Sequence, residues 1–314
     1  MKQLQPSNPS TLLLEPRTRE LLRRIDLQIS RKLDGVLHGD YQGLVPGYGS
    51  ESGETRVYQG GDDVRRMDWN VTARLDAPYI RETIADRELA TWVAVDLSAS
   101  LDFGTADRDK RDQALSALAA LGFLTSRTGN RIGAVLANGS DLHVVAARAG
   151  RQHLLTLLHA AARQATPAAS ARTDLAAAIG RLGALHRRRG LAVVISDFLA
   201  PDGWQNALAR LAVRHETLAV EIVDPRELDL PDVGMLTLVD PETGRRREVQ
   251  TSSASLRARY GAAAREQRHT IAAAVRTAGA DHLILRTDRP WVDDFVRFVK
   301  LRRERPARTP RRLR

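Results

Sequence analysis

The sequence predicts an α/β fold, a doubly wound and mostly parallel sheet with helices on both faces, and three observations carry that expectation. From residue 89 onward, short apolar runs alternate with longer amphipathic ones, the β-then-α order that builds parallel sheets. The strand-like runs WVAV (92–95), AVVIS (192–196) and TLAVEIV (217–223) are almost continuously aliphatic, as strands buried on both faces must be. Residues 1–86 follow a different rhythm and read as a separate, smaller N-terminal module of helix, loop and short strands.

Taken in chain order, residues 19–37 carry Leu21, Leu22, Ile25, Leu27, Ile29, Leu33 and Leu37 at mostly helical spacing. The glycine-rich stretch 39–54 reads as loop or hairpin. Residues 55–88 read as short strand-like pieces around a helical turn starting near Asp63. Asp62 and Asp63 are expected to cap that turn, with Val64, Met67 and Val71 facing inward and Trp69 as a core or interface anchor. In the second part, a strand at 92–95 precedes a helix over 112–128 that stops at Gly129. Two short strands, 131–137 and 141–149, flank a turn at Asn138-Gly139. Helices over 151–165 and 174–188, a strand ending at Ser196, a helix over 204–215 and the strand 217–223 come next. Residues 224–248 read as a long irregular segment. A long helix capped by Gly279, a strand over 281–288 and a helix over 291–303 close the domain, which is drawn at 87–299.

Composition excludes several function classes. The chain has no cysteine, so disulfides, thiol nucleophiles and Cys-zinc sites are ruled out, which fits a reducing compartment. No apolar run approaches the roughly 20 residues that span a bilayer. The first residues lack the basic start, apolar middle and small-residue cleavage site of a secretory signal, so the expected location is cytoplasmic. The formal charge of +10 resides largely in residues 301–314, where seven Arg face one Glu; 300–314 reads as a basic, disordered tail. Arg outnumbers Lys by 44 to 4 along the whole chain, so Arg usage alone is no sign of phosphate recognition. With 4% aromatic residues there is little for base stacking, and nucleic acid is not the expected partner.

Ligands of doubly wound sheets bind outside the carboxyl ends of strands, where strand order reverses. The residues at those ends are therefore informative. The strand at 92–95 runs into Asp96-Leu97-Ser98-Ala99-Ser100, the strand at 192–196 into Asp197, and Thr173-Asp174 opens the helix after 174. Singly, each has an ordinary structural reading, such as Thr173 or Asp174 capping that helix. In this chain order, however, D-x-S-x-S … T-D-L … S-D resembles the metal-ion-dependent adhesion site of von Willebrand factor A domains over roughly residues 90–290. The resemblance implies a metal site of Asp96, Ser98, Ser100, Thr173 and Asp197, holding Mg²⁺ (or Mn²⁺) and completed by an acidic residue of a protein partner. The residue types suit that ion, which is small, hard and oxygen-seeking.

The segment YQGGDDVRRMDWNVTAR (58–74), PYIRETIADRE (78–88), LPDVGMLTLVDPETGRRREV (230–249) and HLILRTDRPW (282–291) are in turn similar to the bacterial family called domain of unknown function 58. That resemblance implies an association with MoxR-type AAA+ ATPases in chaperone-like remodelling or maturation of a client. No phosphate loop, dinucleotide fingerprint, nucleophile elbow or H-E-x-x-H pair occurs, so no catalytic residue is assigned. The competing reading is a metal-dependent hydrolase using the same Asp and Ser residues.

Overall fold

The apolar runs between residues 90 and 286 build one six-stranded sheet. The computed structural model of the 314-residue chain describes residues 55–58, 67–75, 77–81, 90–105, 109–127, 129–164, 173–241 and 243–303. The expected helix at 19–37, the glycine-rich stretch, the Asp62-Asp63 pair and all of the tail beyond 303 lie outside them.

The N-terminal elements are β1 (Thr55–Val57), α1 (Trp69–Leu75) and β2 (Tyr79–Arg81), with β1 antiparallel to β2. Here one expectation, the core reading of Trp69, is corrected. The cap of α1 is Asp68, whose Oδ1 accepts from the backbone of Asn70 and Val71 at 3.2 and 3.3 Å. Trp69 is no core anchor, because it opens this short helix on an outward face and is 70% exposed.

The main sheet contains β3 (Ala90–Asp96), β4 (Arg131–Asn138), β5 (Asp141–Arg148), β6 (Leu191–Ser196), β7 (Glu216–Val223) and β10 (Asp281–Arg286), in the spatial order β10-β7-β6-β3-β4-β5. All neighbours are parallel except the β4–β5 hairpin at one edge. Numbered within the sheet alone, this is the 3-2-1-4-5-6 order of doubly wound folds. The chain leaves β3 for one side of the sheet and β6 for the other, so the crevice at which strand order reverses lies between the carboxyl ends of β3 and β6.

The helices are α2 (Lys110–Arg127), α3 (Arg151–Ala162), α4 (Leu175–Leu185), α5 (Trp204–Arg214), α6 (Ala254–Ala278) and α7 (Trp291–Arg303). Strand residues alternate between two cores. Val93, Val95, Val193, Ile195, Leu218 and Val220 pack under α2, α3 and α7. Trp92, Ala94, Ala192, Val194 and Ala219 pack under α4, α5 and α6. Burial on both faces is the reason these strands read as continuous apolar runs. At roughly 1.5–3 kcal/mol for each large aliphatic side chain removed from water, the two cores supply the main driving force for folding. The long helix ends as expected at Gly279, whose φ of 83° is the left-handed conformation glycine adopts freely.

The segment 224–248 departs from its irregular reading. It opens with a 3-10 turn, Pro225–Glu227, and then forms an antiparallel hairpin of β8 (Met235–Val239) and β9 (Arg246–Gln250). Met235 and Val239 are exposed, while Leu236 and Leu238 between them are half-buried, the period-two pattern of a one-faced ribbon.

Candidate metal centre

The site begins where β3 and β6 run out. Asp96 is the last residue of β3 and Asp197 follows β6 directly; they are 2% and 1% exposed. Register keeps them side by side, since β3 and β6 are hydrogen-bonded neighbours with Val95 paired to Ile195. Past Asp96 the chain turns at once. Asp96 Oδ1 accepts from Ser98 N at 2.9 Å, and Ser98 enters a 3-10 turn, Ala99–Asp102. That turn brings the Ser98 and Ser100 hydroxyls within 2.9 Å of each other. The Ser100 hydroxyl lies near enough to the Asp197 carboxylate to help hold its pKa down. Four of the five expected residues thus share one cluster.

Thr173 is anchored beside it. Its Oγ1 accepts from Gly139 N at 3.0 Å, in the β4–β5 turn, and Gly139 lies two residues past Ala137, the register partner of Asp96. The helix-capping role falls instead to Asp174, whose carboxylate accepts from Ala177 N at 2.8 Å. The buried Thr173 hydroxyl is therefore not committed to its own helix.

The loop after β6 is held in a strained conformation. Phe198 has φ of 56°, the left-handed region that bulky residues rarely enter. Its ring packs 4.9 Å from that of Trp204, and its N–H donates to Ser196 Oγ at 3.0 Å. This backbone path turns Leu199 N onto Asp197 Oδ1 at 3.0 Å. Ser196 completes the link between the strands by donating its hydroxyl to Asp96 Oδ2 at 2.6 Å.

The two carboxylates sit in different fields. Burial, then the negative charge of Asp197, pushes Asp96 up from 3.8 to about 6, against the hydrogen bonds from Ser196 and Ser98. Burial raises Asp197 too, but the ammonium of Lys110 outweighs it, and Asp197 is held below the usual carboxylate range. Lys110, the first residue of α2, is fully buried and donates to Asp197 Oδ2 at 2.7 Å and to Glu227 Oε1 at 2.5 Å. Burial lowers its pKa, but the two carboxylates outweigh burial and hold it above the ordinary lysine value.

From Lys110 a chain of ion pairs leads outward. Glu227 Oε2 accepts from Arg268 of α6 at 3.0 Å; Arg268 also reaches Glu221 Oε1 at 2.7 Å and the carbonyl of Asp197 at 3.2 Å. Glu221 Oε2 lies 2.7 Å from His282 Nε2 on β10. Beside this chain, buried Asp224 accepts from Thr105 and Thr287 at 2.6 and 2.8 Å and ties the loop after β3 to the end of β10. Burial would raise its pKa, but hydrogen bonds from Thr105, Arg226 and Thr287 lower it.

Sequence reasoning missed this network, although signals for it existed. Glu221 is a lone charge inside TLAVEIV, D-P-R-E at 224–227 is a capping-box pattern, and Lys110 is one of four lysines in a chain of 44 arginines.

The donor set suits a small hard cation. The cluster offers two carboxylates, two facing serine hydroxyls and a nearby threonine hydroxyl, all oxygen, which is the ligand type Mg²⁺ and Mn²⁺ take. Asp96 meets no cation among the described residues. Asp197 and Glu227 share the ammonium of Lys110, and Glu227 and Glu221 share the guanidinium of Arg268.

The chain has relatives in mycobacteria. An uncharacterized protein of Mycobacterium bovis and one of Mycobacterium tuberculosis are each 53% identical over 289 residues, covering 92% of this chain and 91% of the relative. Among solved structures, the conserved hypothetical protein BatB from Bacteroides thetaiotaomicron is 12% identical with a TM-score of 0.42, covering 69% of this chain and all of that one. An aerotolerance-related membrane protein from Bacteroides fragilis is 11% identical with a TM-score of 0.44, covering 68% of this chain and 98% of that one. The family model described as protein of unknown function DUF58 matches residues 54–270, and the chain belongs to that family.

Proposed function

We propose that this chain is a metal-ion-dependent protein-binding module, in which Asp96, Ser98, Ser100, Thr173 and Asp197 hold one Mg²⁺ or Mn²⁺ and a protein partner completes the site with an acidic side chain. One observation carries the reading: two serine hydroxyls 2.9 Å apart beside two buried carboxylates, at the crevice where strand order reverses. Bound there, the ion supplies a doubly positive, oxygen-seeking centre that recognises a carboxylate. The remaining work belongs to the protein. Ser196 and Ser98 N orient Asp96; Leu199 N and Lys110 orient Asp197; Gly139 N fixes the Thr173 hydroxyl. Holding these oxygens in place beforehand limits the ordering cost of binding.

The partner we propose is a MoxR-type AAA+ ATPase, with the module joining it to a client in remodelling or maturation in the cytoplasm. Among the described residues no helix is long and apolar enough to cross a membrane. Binding of the purified chain to a purified MoxR-type ATPase, measured by biolayer interferometry in Mg²⁺ and then in EDTA, tests this. The reading requires that EDTA abolish the signal and that Mg²⁺ restore it. Equal binding in both buffers rules it out.

A further inference from the structure

Lys110 is the feature of the site that cation binding does not call for. Its ammonium is a compact, strongly charged group with the same sign as the expected ion, and it already holds Asp197 Oδ2 at 2.7 Å. The other oxygen of Asp197 accepts from Leu199 N at 3.0 Å. A divalent ion that draws on Asp197 therefore meets a carboxylate whose charge is matched from within the chain. Lys110 also has a second acceptor, Glu227 Oε1 at 2.5 Å, on the 3-10 turn that leads into the β8–β9 hairpin. An ammonium shared between two carboxylates can shift toward one when the other is taken, without leaving its buried surroundings.

We propose that Lys110 is a built-in competitor for the divalent ion: it lowers metal affinity by neutralising Asp197, retreats toward Glu227 when the ion binds, and so makes firm occupation depend on the partner's carboxylate. This rests on the metal-binding reading above and deepens it. Removing a positive charge a few ångströms from a divalent ion strengthens binding by about tenfold or more, even at a high effective dielectric.

Two measurements test the idea, both on the full chain. The first is a Mn²⁺ titration by EPR on wild type and Lys110→Met, with Mg²⁺ competition. Lys110→Met should bind at least about tenfold more tightly than wild type, and Mg²⁺ should raise its melting temperature by more than it raises that of wild type. The second needs no variant. The chain has four lysines, Lys2, Lys32, Lys110 and Lys300, so the buried ammonium can be followed by ¹H–¹⁵N NMR of the lysine side chains during a Mg²⁺ titration. Its resonance should move with the midpoint at which the site fills. If wild type binds metal but Lys110→Met binds no more tightly, or if the Lys110 resonance stays fixed while the site fills, the competitor role is overturned and the metal site stands. If neither protein binds Mn²⁺ at millimolar concentration, the metal reading itself falls and this inference falls with it.

Discussion

Replacing Asp96 with Asn separates what this residue does for folding from what it does for function. Asp96 is 2% exposed, with hydrogen bonds from Ser98 N and Ser196 Oγ and no cation among the described residues. Its pKa rises from 3.8 to about 6, chiefly through burial and then through the charge of Asp197. The sign follows from proton binding. Between those two values the folded state holds the proton more firmly than the unfolded state, so stability from this group falls as pH climbs from about 4 to 6 and stays lost above. A shift of this size corresponds to roughly 3 kcal/mol at most. Asn keeps the acceptor for Ser98 N and removes the charge, while Ser196 must turn to accept from the new amide. Asp96→Asn without metal at pH 7.5 should therefore be more stable than wild type by about 1–3 kcal/mol, a rise in Tm of roughly 2–5 °C. The gap should close as pH approaches 4, where wild type carries the proton itself. Adding Mg²⁺ should raise the Tm of wild type and leave the variant unchanged. Differential scanning calorimetry across that pH range reads all of this. A variant that melts below wild type at pH 7.5 in EDTA would refute the claim that Asp96 is an uncompensated buried charge.

Two further substitutions probe the supports of the site. Thr173→Ala leaves the Asp174 cap of α4 intact but strips Gly139 N of its acceptor, so urea unfolding should show a loss of about 1–3 kcal/mol. Mn²⁺ affinity should fall with it, and unchanged affinity would remove Thr173 from the donor set. Glu221→Ala takes one acceptor from Arg268, which keeps Glu227 and the Asp197 carbonyl, and removes the acceptor facing His282, so it should cost about 1–3 kcal/mol in urea unfolding. A loss below 1 kcal/mol would mean that water or a neighbouring carboxylate replaces Glu221.

The parts of this protein legible in its sequence are those governed by local rules. Val93, Val95, Val193 and Ile195 read as strands because burial on both faces leaves no polar positions, and the polar residues at their ends then mark the edge where a ligand would sit. The ion-pair chain obeys no local rule. Lys110 meets Glu227 across 117 positions, and Arg268 meets Glu221 across 47, through strand order and helix packing that only the folded sheet sets. The β8–β9 hairpin was hidden for another reason. Its residues alternate over only five positions, and the turn signals Asp240, Thr243 and Gly244 made the whole stretch look like loop. The core reading of Trp69 misled because an aromatic residue beside apolar neighbours is usually buried, whereas α1 is seven residues long and buries none of them.

What weighs most toward a functional site is the cost of this arrangement. A structural crosslink between β3 and β6 would be served as well by Ser196 bonding a neutral side chain, and apolar residues of similar size would pack at least as stably. Instead two carboxylates are desolvated side by side, and the cation supplied, Lys110, faces Asp197 and is shared with Glu227. Phe198 adds left-handed backbone strain to hold the loop that aims Asp197. Strain and uncompensated charge concentrated at the one crevice the doubly wound sheet provides are what a site built to receive a cation would carry. A protein selected for stability alone would relieve both, and Asp96→Asn tests half of that statement directly.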